Sequence, residues 1–357
     1  MRIAQLAPNI ERVPPDNYGG TELVVHLLTE GLVAREHEVT LFAAGNSVTS
    51  ARLVSVTDQP LRTHPGILTR QWQAFDIQSM LKLREMQSQF DIVHNHMGYQ
   101  ALPYLAQLRC STVSTNHNPI KAYNLPIYRA FKQLPYVSIS DAFRRFNCGD
   151  ELNYVATVYN GIDLDRFAVK ESEARSFLLF LGRICQDKGT ATAIDIAKAL
   201  NLPLKIAGKV DEADRTYFDQ HVKPHLSQNI EYIGEVDHDK KVSLYQKAIA
   251  VVYPIAFEEP FGLVMVEAMA CGTPLMAFDR GSVRELLSDG ETAIIGNSKD
   301  ELIARFPELS KFKPDICRRR VEQLFSKEKL VSNYESVYTN LLSSRRSKIH
   351  DKHYAST

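Results

Sequence analysis

One pattern restricts the fold of this chain more than any other: short strand-forming runs keep returning between helical ones, from one end to the other. RIAQLA, EVTLFA, DIVHNH, STVST, YVSIS and ATVYN are strand candidates in the first half. Between the first two lies TELVVHLLTEGLVARE, whose Leu23, Val24, Leu27, Leu28 and Leu32 recur at helical spacing. Strand, amphipathic helix, strand is the mark of a parallel βαβ unit, because parallel neighbours need a crossover long enough to hold a helix. The pattern breaks at NGIDLDRFAVKESEAR, a charged stretch interrupted by Gly161, and restarts as FLLFLG, LPLKIAG, IEYIG, AIAVVYP, TPLMAF and ETAII. A chain of 357 residues also exceeds what one hydrophobic core usually serves. The expectation is two doubly wound halves, residues 1–165 and 176–325, with a linker near 161–175. A last helix over 326–342 could pack on either half, a return to the first included, and 343–357 reads as a polar, basic, frayed tail.

Several function classes are disfavoured. Lys and Arg number 42, as do Asp and Glu, so the formal charge is zero and a general nucleic-acid binder is not expected. Cys110, Cys148, Cys185, Cys271 and Cys317 form no C-x-x-C pair, and an odd, scattered set reads as a reduced cytoplasmic chain without disulfides or a zinc ribbon. MRIAQLAPNIERVPP has too short an apolar core for a signal peptide. No apolar run reaches the roughly 18 residues that span a bilayer, which leaves only weak membrane-surface contact through the basic tail. Two α/β halves invite a dinucleotide-binding reading, but no G-x-G-x-x-G follows a strand; the first strand is followed by the long loop NIERVPPDNYGGTE.

Four places could carry chemistry. Gly19 and Gly20 precede a helix, where bare backbone can approach a ligand and free amides can take an anion; an ordinary entry turn with Thr21 as N-cap is the alternative. LGRICQDKG sends Arg183 and Lys188 out of a strand's carboxyl end, the ligand-binding end of an open α/β sheet, although a solvated loop carrying two charges is the usual explanation for such a pair and, taken alone, the better one. FEEPFGLVMVEAMACGTP places Glu259 and Glu267 in a strongly apolar stretch, where a bare carboxylate costs several kcal/mol. Pro260 is expected to stop the preceding strand and the helix to start near Phe261-Gly262, with Glu267 about two turns inside. Carboxylates and first-turn amides suit a hydroxyl-rich ligand, whereas the plain reading makes Glu259 a helix-dipole partner and Glu267 a surface residue. Finally, DIVHNHMG puts His94 and His96 on one face at a strand end, and STNHNP puts His117 beyond another. No further ligand stands at local spacing for a metal, so His117 is expected to contact substrate and His94 to be satisfied by backbone.

GRICQDKG followed by EEPFGLVMVEAMACGTPLMAFDRGSVRE resembles the donor half of retaining glycosyltransferases of family 4, which have the GT-B fold. Their signature of two glutamates with seven residues between them is met by Glu259 and Glu267. PPDNYGGTELVVHLLTEGL, HEVTLFAAGNSVTSA, DIVHNHMGY and VYNGID follow in the family's order, so the resemblance covers residues 1–342, with the flavour of a bacterial subgroup of antibiotic-tailoring and cell-surface sugar transferases. It implies two Rossmann-like α/β domains facing across a cleft, an acceptor-side first domain and a nucleotide-sugar second domain, with no metal or other cofactor.

By position, the resemblance implies that Arg183 and Lys188 neutralise the donor diphosphate and that Glu267 takes the nucleotide's ribose hydroxyls. Glu259, with the amides of Phe261, Gly262 and Leu263, would hold the donor sugar, and His117 would lie near its reacting face. Gly19 and Gly20 would close over the diphosphate, Ile233-Gly234 would meet the base with Gly208 lining the same pocket, and Gly281-Ser282 would flank the cleft. Two departures stand out. REHE at 35–38 lacks the glycine usual before the histidine, and Thr292-Ala293-Ile294 replaces a glycine-aromatic pair. The implied activity is retaining transfer from a nucleotide sugar, UDP-linked by family frequency, to an acceptor hydroxyl of unspecified identity. A GT-B glycoside phosphorylase and a non-catalytic sugar-nucleotide binder are the alternatives. Oligomeric state is open.

Overall fold

The computed structural model describes residues 1–16, 19–170 and 174–354, with side chains as far as residue 345. Parts of the glycine loop, the expected linker and the tail (17–18, 171–173 and 355–357) lie outside the described residues. The chain divides into two units, Met1–Gly161 with Lys327–Thr357, and Ile162–Ser326.

The first unit is built on seven strands: β1 (Arg2–Leu6), β2 (Glu38–Phe42), β3 (Arg52–Val54), β4 (Ile92–Asn95), β5 (Ser111–Asn116), β6 (Tyr136–Ser138) and β7 (Tyr154–Thr157). They lie in the order β3-β2-β1-β4-β5-β6-β7, every pairing parallel. Inner strands such as β4 and β5 are buried along their whole length, as expected of a parallel sheet covered on both faces. On one face the Gly20–Ala34 helix sets Val24, Leu28 and Leu32 against Ile3, Val39 and Ile92, and the Lys327–Tyr354 helix adds Leu330, Val331, Tyr334 and Tyr338 to the same core. Each such side chain, fully buried, contributes about 1.5–3 kcal/mol. The other face is covered by Met80, Leu83, Leu102 and Tyr128.

Details of the sequence reading change here. β7 runs over Tyr154–Thr157, earlier than ATVYN suggests, and β3 was not anticipated. The tail is not frayed from residue 343: the last helix continues to Tyr354, and no proline or glycine interrupts it. At REHE, Glu36 itself takes φ 62°, the conformation the missing glycine was expected to supply, so His37 N–H reaches Leu32 O at 3.1 Å and closes the helix. The turn is kept at the modest cost of a side chain in the left-handed region.

The second unit has six parallel strands, β8 (Phe177–Leu181), β9 (Leu204–Ala207), β10 (Ile230–Gly234), β11 (Ala248–Tyr253), β12 (Leu275–Phe278) and β13 (Ala293–Gly296). Their order is β10-β9-β8-β11-β12-β13. In both sheets the chain starts centrally, steps outward on one side, then returns to the other side of its first strand. The loops after β1 and β4, and after β8 and β11, therefore diverge, and a crevice forms at the strands' carboxyl ends. No helix among the described residues is long and apolar enough to cross a membrane.

Candidate active site

In the second unit, the switch between β8 and β11 is where the charges meet. The loop leaving β8 is tied to the loop leaving β11 by Ala256 N–H donating to Asp187 O at 2.8 Å. The next residue, Lys188, points its Nζ at Glu259 Oε2, 2.9 Å away, and lies 4.6 Å from the centre of the Phe257 ring. Tyr253, the last residue of β11, donates its hydroxyl to the same carboxylate oxygen at 2.5 Å. Glu259 is only 7% exposed, so an ammonium and a phenol supply what water would otherwise give it. The tyrosine feels the arrangement too: burial, then the charge of Glu259 and the hydrogen bond to it, push the Tyr253 pKa well above its ordinary value.

Glu267 repeats the device one helix away. It lies just over one turn inside the Leu263–Ala270 helix, not two, because Gly262 is the N-cap and the helix begins at Leu263. Nor does Pro260 stop the strand; β11 has already ended at Tyr253. The Glu267 carboxylate is 5% exposed and accepts from Lys241 Nζ at 2.8 Å and from the Tyr245 hydroxyl at 3.0 Å. The surface-residue alternative for Glu267 is thereby excluded. Lys241 and Tyr245 stand four apart on the His238–Lys247 helix, on one helical face. Sequence reasoning missed Lys241, Tyr245 and Tyr253. The Lys-x-x-x-Tyr spacing in DKKVSLYQK was the available trace.

Around these pairs the backbone is pressed close. A Cβ on Gly208, just past β9 with φ 147°, would stand 1.8 Å from Gly182 O. Gly208 N–H donates to Gly234 O at 2.9 Å, so Gly182, Gly208 and Gly234 lie side by side at the ends of β8, β9 and β10. Nothing lies within 4 Å of where a Gly234 Cβ would stand, and its neighbour Ile233 is half-buried. After β12, Gly281 with φ 56° packs on the Glu259 backbone; a Cβ there would be 2.3 Å from both Glu259 N and O. Ser282 then donates its N–H to Glu259 O at 3.0 Å and its hydroxyl to Phe261 O at 2.8 Å, which fixes the glutamate loop from behind. Phe261 is buried edge-on to Phe325, and Leu263 is half-buried. Thr292 is buried in the turn before β13, where its hydroxyl accepts from Ser288 N–H at 2.8 Å. Arg183 is exposed and has ion-pair contacts with Asp211 and Asp214 at 3.8 and 3.7 Å, so its partners are carboxylates beyond β9.

In the first unit, Gly19 is the N-cap of the Gly20–Ala34 helix with no side-chain cap; Thr21 sits inside the first turn instead of capping it. Glu22 in that turn is buried, and desolvation raises its pKa. The histidines gather at the ends of β4 and β5. His94 is fully buried and is satisfied by side chains, not backbone: Nδ1 meets the Tyr338 hydroxyl and Nε2 meets Thr115 Oγ1, both at 2.7 Å. His96 Nε2 lies 2.8 Å from Gln5 Oε1, and its Nδ1 lies 2.9 Å from Nε2 of the half-buried His117. Both nitrogens of His94 and His96 and Nε2 of His117 are engaged with one another or with neighbours, and no metal-binding group of three or more His, Cys, Asp or Glu occurs among the described residues.

Burial holds His94 and His96 well below the usual histidine range and pushes His117 down to about 4. A histidine kept neutral by the fold charges first in the unfolded chain. Between about pH 6.5 and 4 the unfolded state therefore binds more protons, and stability, fully present above 6.5, is lost as pH falls. Urea unfolding across this range should show that loss, and His117→Gln should flatten it; an unchanged slope would mean His117 titrates normally.

Two family models match the chain: residues 18–166 fit Glycosyltransferase Family 4 and residues 161–320 fit Glycosyl transferases group 1. O-antigen chain mannosyltransferase C of Escherichia coli is 22% identical over 370 residues, covering 93% of this chain and 97% of that protein. Among solved structures, AviGT4, a glycosyltransferase involved in avilamycin A biosynthesis, superposes with a TM-score of 0.72 at 24% identity, covering 96% of this chain and 98% of that one. The Anabaena protein HepE, in complex with UDP and glucose, also gives 0.72, at 16% identity over 95% of this chain and 99% of its own.

Proposed function

The chain belongs to the GT-B glycosyltransferases of family 4, and on that premise we propose that it moves a sugar from a UDP-sugar to an acceptor hydroxyl with retention at the anomeric carbon. The observation that carries the reading is the Lys188–Glu259–Tyr253 cluster at the β8/β11 switch point, where an open α/β sheet binds its ligand. A cation and an acid side by side fit the two ends of an activated sugar, diphosphate and polyol.

In this reading Lys188, with Arg183, neutralises the charge that builds on the diphosphate as the anomeric C–O bond breaks. Glu259 and the amides of Phe261, Gly262 and Leu263 hold the sugar, and Glu267 accepts from the ribose hydroxyls. The acceptor oxygen bonds to the anomeric carbon on the face the leaving group vacates, and its proton passes to the departing phosphate oxygen. Ile233, Gly234 and Gly208 form the base contact, where the open space beside Gly234 lets a ring approach the backbone. Gly19, Gly20 and His117 are the first unit's proposed contributions to substrate binding. No metal enters the scheme. UDP is favoured as the carrier because HepE has been captured with it.

Release of UDP from UDP-glucose, in a panel with other nucleotide sugars and sugar 1-phosphates, tests the reading. UDP should also raise the melting temperature, and at a hundred times Kd the stabilisation is about 2.7 kcal/mol. Glu267→Gln, which leaves Lys241 and Tyr245 a partner, should remove most of that shift. Turnover of a sugar phosphate with no nucleotide affinity would replace this reading with a phosphorylase, and binding without any turnover would make the protein a carrier.

A further inference from the structure

A continuous run of hydrogen bonds crosses the first unit from His117 to the C-terminal helix. His117 Nε2 lies 2.9 Å from His96 Nδ1, and His96 Nε2 lies 2.8 Å from Gln5 Oε1. Gln5 Nε2 is 3.0 Å from the Tyr338 hydroxyl, which is 2.7 Å from His94 Nδ1. His94 Nε2 then reaches Thr115 Oγ1 at 2.7 Å, and Thr115 reaches the Tyr334 hydroxyl at 2.7 Å. Gln5, His94, Tyr334 and Tyr338 are all completely buried, so water cannot substitute for a missing partner.

Gln5 decides the sense of the run. A hydroxyl or a neutral imidazole can be arranged either way, but an amide has one end that only donates and one that only accepts. Here the nitrogen faces Tyr338 and the oxygen faces His96. The oxygen must accept, so His96 carries its proton on Nε2. Burial keeps His96 and His117 neutral, so each ring has one proton. His96 Nδ1 is then an acceptor, and the proton between the two rings belongs to His117 Nε2. That leaves His117 Nδ1 as a bare lone pair, and it makes no hydrogen bond among the described residues. In the other direction, Gln5 donates to the Tyr338 oxygen, whose proton takes His94 Nδ1 as its acceptor, and the His94 Nε2 proton then goes to Thr115; the Thr115–Tyr334 bond can run either way. Reversing the Gln5, His96 or His117 link would set two protons or two lone pairs against each other, and reversing the His94–Tyr338 link would leave the buried Tyr338 proton facing another proton and without this acceptor.

We propose that this run fixes His117 in its Nε2–H tautomer and presents Nδ1 as an acceptor for a substrate hydroxyl, with Gln5, His96 and Tyr338 as positioning residues. The substrate contact rests on the glycosyltransferase reading; the tautomer does not. A histidine set this way can receive a hydrogen bond but cannot give one. It therefore selects for a hydroxyl and against a bare carbonyl or phosphate oxygen at that point.

Histidine-selective nitrogen-15 labelling with long-range proton–nitrogen correlation reads which ring nitrogen is protonated. The wild-type protein should show Nε2–H at His94, His96 and His117. Tyr338→Phe removes the partner of both Gln5 Nε2 and His94 Nδ1, so the amide can turn over. His96 and His117 should become tautomer mixtures, with kcat lowered by the fraction of His117 that leaves the Nε2–H form, about twofold for an even mixture and about tenfold if the Nδ1–H form dominates nine to one, and the donor KM within about twofold of wild type. If that variant does not fold, Gln5→Met is read the same way. An Nδ1–H tautomer at wild-type His117 would overturn the proposal, as would unchanged tautomers in the variant. Altered tautomers with unchanged kcat would keep the run and overturn the substrate role of His117 instead.

Discussion

Lys188→Ala should lower the rate of sugar transfer by about a thousandfold, the loss seen when one preorganised group aimed at developing charge is removed. The same change also leaves the Glu259 carboxylate with Tyr253 as its remaining partner. Losing one member of a fully buried pair costs roughly 3–5 kcal/mol. Here the loss should be smaller, since the Lys188 side chain is 25% exposed and water can partly replace it. Stability and catalysis can therefore be separated. Adding Glu259→Gln to Lys188→Ala neutralises the stranded acid and should recover most of the lost stability, as read by urea unfolding, with no recovery of UDP release. Lys188→Arg should restore only part of the rate, because a planar fork replaces a point charge in a space framed by Phe257 and Tyr253. A Lys188→Ala enzyme within tenfold of wild type would remove the lysine from the mechanism.

Gly208→Ala should be the most damaging single methyl in the second unit. The new carbon would stand 1.8 Å from Gly182 O, a backbone atom that no rotamer change can move aside, and φ 147° is itself unfavourable for alanine. A loss above about 4 kcal/mol is expected. For a unit of this size that corresponds to a fall of about 8–16 °C in melting temperature. Gly234→Ala supplies the contrast. It has φ 73° but nothing within 4 Å, so only the conformational cost of about 1–2 kcal/mol applies. Equal melting temperatures for the two variants would show that β8 and β9 separate easily at this point.

The two glutamates were legible because an acid in an apolar run must be compensated. What compensates them was not legible. Lys241 and Tyr245 come from a different helix and Tyr253 from the end of β11, and only the folded sheet brings them within reach of the acids. The same limit explains His94, whose partners lie 21 and 244 residues away. Two doubly wound α/β halves were legible from the recurring strand and helix periods, and the GT-B fold from the family resemblance that the glutamate segment carries. β3 escaped because three residues hold too little pattern; pairing with β2 makes Arg52–Val54 a strand. The tail misled because SSRRSKIHDKHYAST has no apolar stripe, yet a helix already nucleated and packed at Leu330–Tyr338 is readily extended.

The Lys327–Tyr354 helix completes a core whose other parts are among the earliest residues of the chain, Ile3, Val24 and Leu28. During translation those early residues leave the ribosome with a hydrophobic face still uncovered, while Ile162–Ser326 already holds all of its own sheet before the last helix is made. The half synthesised first should therefore mature only once that helix is made, and a stop codon placed just before Lys327 would leave that half, and not Ile162–Ser326, open to proteases and chaperones.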